Sequence, residues 1–409
     1  MRLQLTFRRQ NAGSERPAGS AAWPPRRTAL WLSILTSSAA VVANAAAADA
    51  PTSVGQAEAA RLATEAHVSV FDDGAVRVIA PRVGVRWDGG GAGRFEVRAH
   101  VDALSGATVA MKGDLTTSAT RFVEERRDLA LDWDSPDGEK GGGVTMAGSD
   151  ERDFRSLALA ARGHAEGWQR RLRAIAAAGG TLEQIWLPGE RDAWRPLHSA
   201  FVEIGASLIL TPRWVLAFSG LARRHGCDAA VGCAASPYRA VALQRADGDR
   251  TSARERHPAT RLRGAATATL SFAPRHGAGL HAALSTSGDD WNVRGVGAEV
   301  AAALDVTAVG LRARLSGHFA RHSRAAFFRD VDRATAAAIP AYRSADRRLG
   351  GMSTSALALD LAQLLPLLPA IGVMQVVLHL SAQRTGYDAF PQALGTSAYL
   401  AGVGVELQR

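Results

Sequence analysis

The feature that most constrains this chain is an alternation of apolar with polar or small residues, sustained over ten to fifteen residues and repeated along it. From residue 371, Met374, Val376, Leu378, Leu380 and Ala382 share one face, while Gln375, His379, Ser381 and Gln383 share the other. From residue 260, Leu262, Ala266, Ala268, Leu270 and Phe272 oppose Arg261, Arg263, Thr267, Thr269 and Ser271. From residue 306, Val309, Leu311, Ala313, Leu315 and Phe319 oppose Arg312, Arg314, Ser316 and His318. A period of two places successive side chains on opposite faces of a strand, so each strand meets two environments. Soluble sandwich strands average five or six residues. These approach the roughly 9–11 residues that a tilted strand needs to cross a bilayer. Their polar faces hold Arg, His and Gln, and their apolar faces are almost free of charge, which is the pattern of an all-β, single-chain transmembrane antiparallel barrel.

The alternation places strands near 65–71, 75–87, 93–103, 121–134, 141–149, 153–164, 167–178, 197–211, 214–224, 260–272, 277–287, 291–304, 306–320, 351–363, 371–384 and 396–408. That is sixteen. Residues 169–178 and 356–365 are rich in alanine or leucine and compatible with helix on propensity, and 65–71 is short enough to be an N-terminal arm. Fourteen strands is therefore the runner-up. The long connections, 104–120, 179–196, 225–259, 321–350 and 385–395, all follow odd-numbered strands, whereas the tight ones follow even-numbered strands. Outer-membrane barrels have even strand counts, short periplasmic turns and long extracellular loops, so the parity fits with both termini in the periplasm. Trp87, Trp133, Trp168, Trp214 and Trp291 fall at strand ends, where an aromatic girdle would put them.

Upstream, Arg26 and Arg27 precede a short apolar run ending at Ala43-Asn44-Ala45, which reads as an N-terminal extension and secretory signal over 1–45. A periplasmic segment over 46–64 and a barrel over 65–409 would follow. The whole chain carries +9, but residues before 46 hold six arginines against Glu15, leaving +4 for the mature chain. With no recognisable basic module, nucleic acid is not an expected partner. Membrane lipid, lipopolysaccharide and the barrel-assembly machinery are, and small solutes are candidates. The location expected is the outer membrane of a Gram-negative bacterium.

The two cysteines, Cys227 and Cys233, sit in a Gly/Ala-rich stretch, and in an exported chain they read as a local disulfide. No His-Glu-x-x-His helix, phosphate loop or Gly-x-Ser-x-Gly elbow occurs, so no catalytic, metal or cofactor residue is assigned. His198-Ser199 and His322-Ser323 are adjacent pairs that a strand would point to opposite faces. Asp289-Asp290 reads as the cap of an outer hairpin. Arg261, Arg263, Arg312 and Arg314 are the candidate lumen-lining residues. Either they form a pore surface that favours anions, or they pair with lumenal acids such as Glu203 and Glu299 while loops plug the opening.

Several stretches resemble an uncharacterised bacterial outer-membrane barrel family, the domain of unknown function 3570. They are Asp102-Ala-Leu-Ser105-Gly106-Ala107-Thr108, Glu124-Glu-Arg126, Arg256-His257-Pro258-Ala-Thr-Arg261-Leu-Arg263, Asp289-Asp290-Trp291 and Ala345-Asp346-Arg-Arg-Leu349. The family has no established activity, so the resemblance implies fold and location only, and Asp102, Ser105, Gly106, Asp289 and Asp290 are motif residues of unknown role. The expected function is a porin-like channel or a passive membrane scaffold. The alternatives are a soluble periplasmic or secreted β-rich binding protein and a barrel-embedded hydrolase.

Overall fold

The computed structural model describes residues 61–408, apart from 74–75, 109–110, 113–114, 117–119, 137, 153, 187–193, 228–239, 246–249, 329–334, 337–340, 345, 367–371 and 389–394. The expected leader and most of the 46–64 segment lie outside these residues, as does Cys233. Sixteen strands form one closed wall. They are β1 (Arg61–Asp72), β2 (Val76–Asp88), β3 (Arg94–Thr108), β4 (Thr120–Asp134), β5 (Lys140–Asp150), β6 (Phe154–Gly167), β7 (Leu172–Trp186) and β8 (Trp194–Thr211). Then come β9 (Trp214–Cys227), β10 (Thr260–Arg275), β11 (Ala278–Asp289), β12 (Arg294–Val306), β13 (Leu311–His322), β14 (Met352–Pro366), β15 (Val373–Tyr387) and β16 (Thr396–Gln408). Each is antiparallel to the next, and β1 meets β16 from Ala63↔Gln408 to Asp72↔Tyr399. Closure removes both sheet edges, so every strand has hydrogen-bonded neighbours on both sides.

The sixteen expected strands correspond one to one with these. Of the two stretches with helical propensity, residues 172–178 of the first and all of the second are strand residues of β7 and β14, because a barrel neighbour on each side supplies the backbone partners that a helix would find internally. β1 is no arm: it begins at Arg61, four residues inside the expected periplasmic segment, and closes the barrel. The largest displacement is in β7, expected over 167–178 and found over Leu172–Trp186. Trp168, Gln169 and Arg170 make the preceding turn at positive φ without a glycine. Gly179-Gly180, which reads as a loop, lies mid-strand. A Cβ at Gly179 would come within 2.7 Å of the Phe201 ring and 2.6 Å of the Leu159 carbonyl, so the glycine makes room for a packed neighbour rather than a turn.

One face of each strand is apolar and points outward. Leu159, Leu182, Ile204, Leu284, Val300 and Val403 are all more than half exposed, a surface that water would not tolerate but hydrocarbon would. At the tight-turn end the outer face is aromatic. Trp87 stacks on Phe95 with ring centroids 5.6 Å apart, Phe95 lies 6.4 Å from Trp133, Trp214 stacks on Phe272 at 4.3 Å, and Trp168 stands exposed in its turn. This is the expected girdle, with one exception. Trp291 is buried in loop structure at the opposite end of the barrel.

The longer connections all lie at that opposite end. Within them, Ala240–Arg245 pairs with Arg250–Arg254 and, in parallel, with Thr335–Ala336, which ties the connection after β9 to the one after β13.

Candidate functional site

Period two turns every second residue toward the lumen, and adjacent strands set the charged ones side by side. The wall from β1 to β6 is a ladder of ion pairs. Arg82 meets Glu65 at 3.2 Å, Arg86 meets Glu406 at 2.7 Å, Arg98 meets Asp132 at 2.7 Å, and Arg162 meets Asp134 at 2.7 Å. Here His100 lies between two acids, with Nε2 3.0 Å from Asp102 Oδ1 and Nδ1 3.4 Å from Asp128 Oδ2. These three side chains are the one metal-compatible group among the described residues. Both ring nitrogens already face carboxylates and Asp128 also takes Arg126 at 2.8 Å, so the group is built as an ion-pair network.

Three of the four candidate arginines are bound to acids. Arg312 donates to Asp305 at 2.9 Å, and Arg314 pairs with Glu299 at 3.0 Å, one of the two acids named in the paired alternative. Arg261 is bound to Asp289, a partner that the sequence did not single out. Glu203, the other expected acid, is joined to none of the four. Arg263 differs from the rest: it has no ion pair among the described residues. In register it stands between Arg223 on β9 and Asp289 on β11, the carboxylate already bound to Arg261, with His225 opposite Arg261 one step along. Arg223 lies over the Phe201 ring at 5.5 Å, and the carboxylates whose fields reach this patch are Glu183 and Asp289. Like charges set directly across two strands repel. The lumenal wall of β9 and β10 is therefore a place where, among the described residues, positive charge exceeds its ion pairing.

The five motif stretches converge in two groups at the long-loop end. Asp102, Ala103 and Leu104 pair in register with Arg126, Glu125 and Glu124, so the first two motifs face each other across β3 and β4. Ser105 and Gly106 continue β3 opposite Arg77 and Val76 of β2. Leu104 packs with Val76 and Val78 into a buried apolar patch on the lumenal side, joined by Phe71 and Ala80. The other three motifs meet in a loop core of Trp291, Ala325, Phe327, Phe328 and Leu349. Trp291 meets Phe327 edge-on at 5.1 Å and His257 at 5.4 Å, and its indole donates to the Thr260 carbonyl at 2.9 Å. Asp289 caps the hairpin as expected, accepting from the amides of Trp291 and Val293 at 3.1 and 2.8 Å, and Asp290 accepts from the Leu262 amide at 3.0 Å. The Arg261 guanidinium lies 4.3 Å from the Trp291 ring centroid, which presses this core against the lumen-facing end of β10.

Beneath the aromatic rings lies a buried polar set that sequence reasoning missed. Ser344 donates to Glu255, and Glu255 Oε1 is 3.4 Å from His257 Nε2. Ser344 Oγ also accepts from the Asp346 amide at 3.0 Å, and Asp346 binds Arg348 at 2.7 Å. The carboxylate stands between serine and histidine, and the Glu255 and His257 side chains have no exposure, so the set welds the two loops together and cannot reach a solute.

The adjacent Ser/His pairs behave as strand geometry requires. Ser199 faces inward and meets Thr181 at 2.8 Å while His198 faces outward, and His322 contacts the Ser323 carbonyl at 3.0 Å. One pair on a shared lumenal face does exist, Ser271 Oγ and His281 Nδ1 at 3.3 Å. Glu299, the carboxylate whose field reaches His281, is held by Arg314.

Cys227 closes β9, and its expected partner Cys233 lies outside the described residues.

No protein-family model and no curated protein matches the chain. Among solved structures, a bacterial polysaccharide outer membrane secretin aligns over 87% of this chain and 100% of its own, at 7% identity and TM-score 0.48. The toluene transporter TodX of Pseudomonas putida aligns over 85% of this chain and 88% of its own, at 10% identity and TM-score 0.37. OprD of Pseudomonas aeruginosa aligns over 85% and 95%, at 9% identity and TM-score 0.36.

Proposed function

We propose that the chain is an outer-membrane diffusion channel for small solutes, narrowed at its outer mouth and favouring anions along β9 and β10. The observation that carries this reading is the uncompensated pair Arg223 and Arg263 on a wall whose other lumenal charges are largely matched. A fixed positive patch on a pore wall attracts anions and repels cations. The apolar outer belt, the aromatic girdle and the even strand count support an outer-membrane location, with the long-loop end at the cell exterior and both termini in the periplasm. The loop core and the Leu104 patch narrow that mouth from two sides. The pairing of the Asp102 and Arg126 stretches, and the meeting of the other three motifs, support membership of the uncharacterised family that the sequence resembles. A hydrolase reading lacks support, because the Ser271–His281 pair has no carboxylate free to orient the imidazole.

The test is the conductance of refolded protein in planar bilayers under a potassium chloride gradient. We expect discrete openings whose reversal potential reports anion preference, and a loss of that preference in the Arg223→Ser/Arg263→Ser variant. Openings with unchanged selectivity in the variant would remove the assigned role of the patch. Absence of conductance from a folded barrel would leave the scaffold reading.

A further inference from the structure

The outward faces of β9, β10 and β11 depart from the apolar belt toward the long-loop end. The residues facing lipid there are Gly220 and Ala222, Gly264 and Ala266, then Thr286 and Gly288. On either side the wall rises, at Val202 and Ile204 of β8 and at Val296 of β12, each more than half exposed. The result is a groove of about 1310 Å³ on the outer surface of the barrel.

Backbone geometry does not demand these small residues. None of the three glycines has positive φ. A Cβ added at Gly220, Gly264 or Gly288 would meet nothing closer than 3.8 Å, unlike Gly179 across the same sheet. The groove is empty because its floor is small, and larger side chains would fit the fold.

Charge gathers at the outer end of the groove. Arg294, Arg321 and Arg324 line it there, and Arg224 lies just beyond on the outward face of β9. Arg294, Arg324 and Arg224 have no ion pair among the described residues. Arg321 reaches Asp388 at 3.5 Å, with both side chains more than half exposed. The other carboxylate on this rim, Asp290, is turned to the Leu262 amide. Unpaired arginines above an apolar trough match an amphiphile whose polar end carries more than one negative charge.

We propose that this groove binds one phosphorylated, multiply acylated lipid of the outer leaflet, with the chemistry of lipid A. Its acyl chains lie over the glycine and alanine floor, and its phosphates sit between Arg294, Arg321 and Arg324. The assignment rests on the outer-membrane reading, which puts the long-loop end in the leaflet where such lipids reside.

The test uses full-length protein, delipidated in detergent, titrated with bisphosphorylated hexa-acyl lipid A and read by native mass spectrometry. Folding of every variant is checked by migration with and without heating. Wild type and the tight-turn control Arg213→Ser should retain one lipid A. The variant Arg294→Ser/Arg321→Ser/Arg324→Ser should lose at least about tenfold in affinity, from roughly 1 kcal/mol per arginine at an anionic lipid surface. Gly264→Phe/Ala266→Phe, which fills the trough and leaves the charges, should lose binding to a similar degree. Dephosphorylated lipid A should bind wild type as weakly as the arginine variant binds lipid A. Equal retention by wild type and both variants would overturn the site, and equal retention of phosphatidylglycerol would overturn the ligand. Membrane fractionation separates the two readings: a chain absent from the outer membrane refutes the location, whereas one present there without groove-dependent binding refutes only this inference.

Discussion

A single step along β15 exchanges hydrocarbon for lumen. Leu380 is 42% exposed on the outer face, while the neighbouring His379 turns inward and bonds Asp360. Leu380→Arg, near the middle of the strand, should cost about 2–4 kcal/mol in denaturant titrations of barrel in lipid vesicles. His379→Arg keeps a positive group beside Asp360 and should cost far less. Equal penalties in the two unfolding curves would mean that this strand is buried on both sides. At this scale the sequence was informative: the inward set Arg261, Arg263, Arg312 and Arg314 and the outward set Leu262, Leu315 and Phe319 all lie where the alternation puts them. Which arginines would be neutralised was hidden. Asp289 stands in register with Arg263 yet binds Arg261, and Arg263 is left without an ion pair among the described residues, although both arginines sit on the same face two residues apart.

Among the elements, the strands and the outer loops make separate demands on stability. Trp291→Ala should open the loop core that Trp291 shares with His257 and Phe327, with a local penalty of about 3–5 kcal/mol for removing a buried Trp. The barrel wall is held by its own closed strand pairing. The expected outcome is faster proteolysis in the loops after β9 and β13 with unchanged heat-dependent migration, and loss of the folded band would show that the core supports the wall. A disulfide between Cys227 and Cys233 should likewise be a loop feature. It closes so short a segment that it contributes about 2–3 kcal/mol in the chain-entropy model. Mass analysis of exported protein should find no free thiol, and reduction should leave the barrel folded. All sixteen strands were legible because each carries its own period. The bounds of β7 were not, since a turn of Trp168, Gln169 and Arg170 at positive φ bears no glycine to announce it, and Gly179-Gly180 mimics one. Trp291 was misplaced for a related reason. A tryptophan beside a strand end reads alike in sequence whether it anchors in a membrane interface or sinks beneath a loop, and only the convergence of residues near 257, 327 and 349 separates the two.

At the scale of the whole molecule, the alternation of tight and long connections fixes the polarity of the barrel, and the motif groups and loop core all lie at one end. The sequence revealed that polarity but not the convergence, because contacts between loops separated by two or more strands leave no local periodicity. The seam where Ala63 pairs with Gln408 has a consequence for how the chain reaches this state. Every other strand pair in the barrel wall joins sequence neighbours, so the sheet can grow by successive hairpins. The seam alone joins the first strand to the last. Until it forms, the sheet is an open ribbon with two unpaired edges, each a template for another chain. The most vulnerable species along the route is thus one with fifteen of its sixteen junctions made, and the last register to form decides between a closed cylinder and an aggregate.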